Sequence, residues 1–219
     1  GRLSGGGTLG GNITLGTANL TVNQATSATT YSGVISGTGG LTKIGTAALS
    51  LGGVNTYTGA TTISAGTLQA IINNVIPNSS ALVMADVATA IFNLNNTNQT
   101  IGSLSGGGAT GGNISLGAGT LTITQNAAGT YDGAISGSGN ITKIGTDTLI
   151  LSRTNTFTGN TTINAGALSI GSDLQLGAAP AAATTGKLTF DGGTLRTTAS
   201  FALNANRGIT LNSGGGTLL

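Results

Sequence analysis

Apolar and polar residues alternate along this chain in short runs, and clusters of glycine, asparagine or serine separate the runs. Ile13-Thr14-Leu15, Leu20-Thr21-Val22, Leu49-Ser50-Leu51 and Thr61-Thr62-Ile63 are four of them. Alternation sends successive side chains to opposite faces of a strand, so each run predicts a short strand with one buried face. Helical spacing of apolar residues over windows of about 11–18 residues is nearly absent. Ser80–Val87 reads either as a short helix or as a strand; its counterpart Lys187–Gly192 alternates, which favours a strand.

The runs recur in a larger period. Residues 31–68 are written again at 131–168 with 23 of 38 positions identical. Gly11–Leu15 returns as Gly112–Leu116 and Tyr31 as Tyr131, so one residue is lost between Gln24 and Tyr31, which predicts a loop there. Internal repeats therefore run over about 3–100 and 104–208. A third copy starts near 211, where Ser213–Leu218 repeats Ser4–Leu9, and the expectation is one continuous segment, 1–219, of a longer array. Segments 70–100 and 169–208 break the duplication, and Pro77 and Pro180 within them predict turns.

Short strands at even spacing suit a sandwich, a barrel or a solenoid, but a tandem repeat supplies no Greek-key returns, so an all-β solenoid is expected. At roughly 20 residues per coil and about 4.8 Å between strands, the chain makes about 11 coils and a rod of roughly 50 Å. Glycine supplies the left-handed conformations of tight corners, and buried Leu, Ile and Val offset its entropy cost.

Composition narrows the chemistry. The chain has 40 Gly, no Cys, His, Trp or Glu, and only 5% charged residues, so solubility rests on Thr, Asn and Ser. A net charge of +2 without a Lys/Arg run gives nucleic acid no electrostatic footprint. Zinc and other transition metals have no His or Cys ligands, and neither a Ser-His-Asp triad nor a cysteine nucleophile is available. Five scattered aspartates, Asp86, Asp132, Asp147, Asp173 and Asp191, do not supply repeated calcium sites. Asp132 and Asp147 as a glycosidase-like pair are replaced by Ser32 and Ala47 in the first copy. Gly5-x-Gly7-x-x-Gly10 and Gly106-x-Gly108-x-x-Gly111 match a dinucleotide fingerprint by glycine abundance, with no strand–helix unit to aim at phosphate. The eight Asn-x-Ser/Thr sequons, Asn12, Asn113 and Asn160 among them, follow from Asn and Thr content, and the Thr rows are too irregular for an ice-binding array. No catalytic, cofactor-binding or metal residue is assigned.

Two motifs remain. Asn55-Thr56-Tyr57-Thr58-Gly59 and Asn155-Thr156-Phe157-Thr158-Gly159 are either ligand-binding strips or structural turns whose Asn bonds exposed backbone groups; the turn is favoured. Lys43 and Lys143, in identical Thr-Lys-Ile-Gly-Thr settings, read as solvated charges that discourage edge pairing, with contact to an anionic partner as the alternative.

In order, Gly39-Gly40-Leu41-Thr42-Lys43-Ile44-Gly45-Thr46, Leu49-Ser50-Leu51, Asn55–Ile63 and Ala65-Gly66-Thr67-Leu68 resemble the passenger-associated transport repeat, or autotransporter-associated β-strand repeat, and Gly139–Leu168 matches again. The resemblance implies a right-handed parallel β-helix from the passenger of a Gram-negative autotransporter, exported through an outer-membrane β-barrel translocator and displayed at the cell surface. The function expected is a non-catalytic stalk that adheres to host or neighbouring-cell surface molecules or to copies of itself. The alternative is a repeating structural unit of an extracellular filament or sheath; a third reading puts an enzyme elsewhere in the passenger. The cysteine-free composition fits export.

Overall fold

The computed structural model describes residues 1–7 and 10–219. Thr8 and Leu9, which belong to the Ser4–Leu9 motif and interrupt the first glycine fingerprint, lie outside the described residues.

The alternating runs become strands whose inward positions stack in columns. Leu20, Leu41, Thr61, Leu82 and Leu104 occupy one column on five successive coils, each in register with the next. The chain is a β-solenoid of about ten coils, built from parallel strand pairs. One tall sheet of ten strands runs from Leu20–Asn23 to Thr217–Leu218. A second sheet of six strands extends from Thr29–Tyr31 to Ile135–Ser136, and a third, also of six, from Gln99–Ile101 to Arg207–Leu211. Ile13–Thr14 pairs separately with Ile35–Ser36. At about 4.8 Å per coil the tall sheet is roughly 45 Å high. The interior is a single column of Leu, Ile, Val, Phe and Tyr.

Both divergent segments hold the strands expected of them, Ala81–Met84 and Thr184–Phe190, each stacked on a repeat strand. The lost residue falls between Leu20–Asn23 and Thr29–Tyr31 in the first copy and between Thr120–Thr124 and Gly129–Tyr131 in the second, a loop in both. Coil length varies, from nineteen residues between Leu149 and Leu168 to twenty-seven between Leu168 and Leu195. The longest coil accommodates a 3-10 turn, Asp173–Leu176, that alternation does not foreshadow. Arg207 is buried beneath it, pairing with Asp173 at 2.8 Å and donating to the Leu176 and Gly177 carbonyls. Burial pushes the Asp173 carboxyl up, but hydrogen bonds from Arg207 and the Asn204 N–H, with the guanidinium charge, hold it below the usual carboxylate range.

Corners bring backbone close to backbone. A Cβ on Gly139 would lie 1.8 Å from the Gly119 carbonyl oxygen of the coil below.

The repeat is not a whole number of coils. The chain visits the tall sheet at Ser103–Gly106, the second at Asn113–Ser115 and the third at Thr120–Thr124. Leu104 lies four coils above Leu20 on the tall sheet, and Leu121, the second-copy counterpart of Leu20, comes two faces later. One copy thus advances by four coils and two thirds, or about 22 Å along the axis, and its equivalents are turned by a third of a revolution. Leu41–Ile44 accordingly sits in the tall sheet, whereas its equivalent Asn140–Ile144 sits in the third.

Candidate functional site

Asn55 and Asn155 are buried inside the solenoid, not solvated on a turn. Asn55 Oδ1 accepts from the Ile35 N–H at 2.8 Å on one side, and its Nδ2 donates to the Val75 carbonyl at 2.7 Å on the other. Asn155 repeats this with the Ile135 N–H at 2.8 Å and the Gln175 carbonyl at 2.7 Å. The amide imitates a peptide group in a parallel ladder and ties three coils together where the flanking chain leaves strand geometry. The expectation that this Asn bonds exposed backbone groups is corrected: the groups it bonds are buried, and its own side chain is consumed by them.

Two residues on, alternation turns the aromatic inward as well. Tyr57 is fully buried, with its hydroxyl 2.5 Å from Thr61 Oγ1, which lies 3.0 Å from Ser80 Oγ. Burial pushes the Tyr57 hydroxyl above its ordinary range against the pull of those hydrogen bonds. Phe157 fills the same position without a hydroxyl, and Thr161 Oγ1 is left buried with no hydrogen-bond partner. Restoring the hydroxyl with Phe157→Tyr is expected to raise stability by about 1 kcal/mol, the net worth of a buried hydrogen bond, and Tyr57→Phe to lower it by as much. Urea denaturation of the two variants checks the pair of opposite signs.

Lys43 and Lys143 overturn the solvated-charge expectation: both are fully buried. Lys43 Nζ donates to the carbonyls of Ile44 at 2.9 Å, Gly45 at 2.7 Å and Ala65 at 3.0 Å. Lys143 does the same to Ile144 at 2.7 Å, Gly145 at 2.8 Å and Ala165 at 3.2 Å. Each ammonium plugs a corner: it donates to two carbonyls there, Gly45 and Ala65 or Gly145 and Ala165, and shares the third, that of Ile44 or Ile144, with the N–H of Gln24 or Gln125. Contact with an outside anion is precluded by that geometry. A Cβ on Gly66 would lie 2.7 Å from Lys43 Nζ and 2.3 Å from the Gly45 carbonyl oxygen, so the corner needs glycine as well. Burial lowers both lysine pKa values to about 8, with Asp147 opposing the shift at Lys143.

Sequence reading passed over further interior polar groups. Gln99 accepts from the Val75 N–H and donates to the Ile72 carbonyl, and Gln125 accepts from the Leu104 N–H and donates to the Ala127 carbonyl. The Tyr131 hydroxyl caps the Gly112 carbonyl at 2.7 Å, and Tyr31 does so at Gly11. The signal was available: Gln24 and Gln125, like Tyr31 and Tyr131, recur across the two copies.

Other candidates are accounted for locally. Asp86 Oδ1 accepts from the Thr110 hydroxyl and from the N–H groups of Thr110 and Gly111, which hold its carboxyl below the usual range. The second glycine fingerprint thus already faces a carboxylate. Asp132 takes a hydrogen bond from Ser152, while Asp147 lies beside Lys143. Sequon residues Asn12 and Asn113 accept from the Val34 and Ala134 N–H groups of the next coil. Among the described residues no cluster of three His, Cys, Asp or Glu is placed to hold a metal ion, and no helix is long and apolar enough to cross a membrane.

Comparison with known proteins follows the same lines. The family model of the passenger-associated-transport-repeat matches residues 41–70 and 141–170, the segments that carry the buried lysine, asparagine and aromatic. Over 210 residues, 92% of this chain, the sequence is 40% identical to the adhesin BmaC autotransporter of Brucella suis biovar 1 (strain 1330). The chain spans only 6% of that protein's length. No solved structure matches the chain. The chain is a β-solenoid that carries two passenger-associated-transport-repeats with inward-facing signatures, and it is similar over most of its length to a stretch of an autotransporter adhesin.

Proposed function

We propose that this segment is a non-catalytic adhesive stalk, displayed on the bacterial surface as part of a longer passenger that an outer-membrane β-barrel translocator exports. The observation that carries the reading is a division of labour between the two sides of each strand. The recurring Lys, Asn, Gln and Tyr of the interior are committed to bonds between coils, while the outward positions are mostly uncharged Thr, Ser and Asn. A relative named as an adhesin supports adhesion as the activity, to host or neighbouring-cell surface molecules or to copies of itself. Copies at about 3–100 and 104–208 serve as units of the array, each offering its outer surface a third of a revolution from the last.

Contacts made by uncharged side chains are screened little by salt. Beads coated with the purified chain should bind epithelial cells, or one another, equally at low and high sodium chloride. A loss of about tenfold across that range, which is what a charge-led contact predicts, overturns the uncharged-contact reading, and no binding in either buffer overturns adhesion.

A further inference from the structure

The first divergent segment does more than interrupt the repeat. Around its exposed Asn78 and Ser79 a groove opens over adjoining coils, in two lobes of about 440 and 280 Å³ that share these two residues. No Lys, Arg or Asp lines either lobe. We propose that this groove is a binding site for uncharged oligosaccharides.

Three observations point there. First, four of the polar side chains that line it are free, whereas Asn55, Asn74 and Asn126 beside them are already bonded within the protein. Asn73, Asn98 and Asn140, along the neighbouring corner, spend their side-chain oxygens on the N–H groups of the next coil. Thr56, Asn78 and Ser79 are exposed and Ser103 is half-buried, and none of the four side chains bonds within the protein. Second, amide and hydroxyl groups both donate and accept, as sugar hydroxyls do, so a polyol meets partners in either sense. An anionic glycan or an acidic peptide meets no counter-charge. Val54, 56% exposed, and Pro77 add an apolar floor against which the C–H face of a sugar ring can rest. Third, position in the repeat does not dictate the lining. The other divergent segment also opens a groove beside its Asn-Thr-aromatic-Thr-Gly motif, but there the walls are mostly Ala178, Ala179, Pro180 and Ala181, with Thr158, Thr184 and Lys187. Side-chain amides line the first groove alone of the two, and only the second carries a charge.

The groove has no aromatic platform, so a single site binds weakly, and avidity in an array supplies the strength. The proposal goes further than the adhesive reading and does not stand or fall with it. The test is an amide NMR titration of the intact chain with triacetylchitotriose, maltohexaose and mannohexaose, and with a heparin hexasaccharide as the charged probe. At least one uncharged probe is expected to shift the amides of residues 74–76, 78–79 and 102–103 saturably at millimolar concentration. Asn78→Ala with Ser103→Ala should weaken that binding about tenfold, and Ala181→Ser in the other groove should leave it unchanged. These are surface changes, and an unaltered melting temperature shows that the fold is kept; Ser103→Trp, which fills the groove, is the second blocking variant. Binding by none of the uncharged probes, shifts confined to other residues, or heparin occupying the same amides overturns the proposal. Cell adhesion that persists without oligosaccharide binding overturns the groove alone.

Discussion

Asn55→Leu lowers the stability of the coils around it by about 3 kcal/mol, and Asn155→Leu does the same a hundred residues on. The substitution keeps the branched shape and gains apolar surface, which works in its favour. It also strands a buried N–H, that of Ile35 or Ile135, and a buried carbonyl, that of Val75 or Gln175. Each stranded group costs about 1–3 kcal/mol, more than Leu recovers by burial, so the loss wins. The effect is local in a solenoid because each coil touches only its neighbours. Hydrogen exchange should show Asn55→Leu exposing the amides of residues 33–37 and 74–76 while those near Ile135 stay protected. The two sites are about 22 Å apart along the axis, so the double variant loses the sum. Asn55→Asp is the sharper control: it keeps an acceptor for the Ile35 N–H but sets a carboxylate oxygen against the Val75 carbonyl. Uniform exchange across the chain in Asn55→Leu, or a loss no larger than that of an exposed Thr→Ala change, sinks the ladder account.

The degree to which this architecture can be read from sequence depends on which force decides each position. The strands were legible because alternation and turn residues agree, as at Leu49–Leu51 and Thr61–Ile63. Even the disputed Ala81–Met84 followed from its counterpart. Lys43 was misjudged because two signals conflict there. Alternation from Leu41 points position 43 inward, whereas a charged side chain argues for water; the inward reading wins because the corner presents the Gly45 and Ala65 carbonyls, which need a donor. Corner geometry of that kind is tertiary and leaves no mark on a single run of residues. The Asn55 motif shows the same blind spot. Asn in a turn-like segment was recognised, but its partners are two coils that lie twenty residues away on either side. The third-of-a-revolution offset between copies was hidden as well, since it depends on coil lengths that vary with each insertion. The groove of the first divergent segment was invisible for a related reason: it is made by what surrounds Asn78 and Ser79, not by their spacing.

The buried lysines make stability depend on alkaline pH with a definite sign. Both have pKa values lowered to about 8 in the folded chain, against about 10.4 when unfolded. Below pH 8 both states hold the proton and the native chain bears the full cost of two buried ammonium groups. Between about pH 8 and 10 the native lysines are neutral while the unfolded ones remain charged, so the unfolded state binds more protons and stability rises with pH. The slope approaches about 1.4 kcal/mol per pH unit for each lysine. Tyrosine then reverses the trend. Burial pushes the hydroxyls of Tyr57 and Tyr131 up, so they stay protonated in the native state while the unfolded chain ionises near pH 10, and stability falls beyond that point. The expected profile in urea denaturation is a rise from pH 8 to a maximum near 10. Lys43→Met with Lys143→Met isolates the cause. At pH 7 that variant sheds the cost of burying charge but orphans two corner carbonyls at each site, those of Gly45 and Ala65 or Gly145 and Ala165, so the two changes oppose each other and the absolute stability is a poor discriminator. Its slope is the clean readout: the rise between pH 8 and 10 disappears, and only the tyrosine-driven fall remains. A flat wild-type profile over that interval, or a rise that survives in the double methionine variant, refutes the assignment of Lys43 and Lys143 as charged plugs of the solenoid corners.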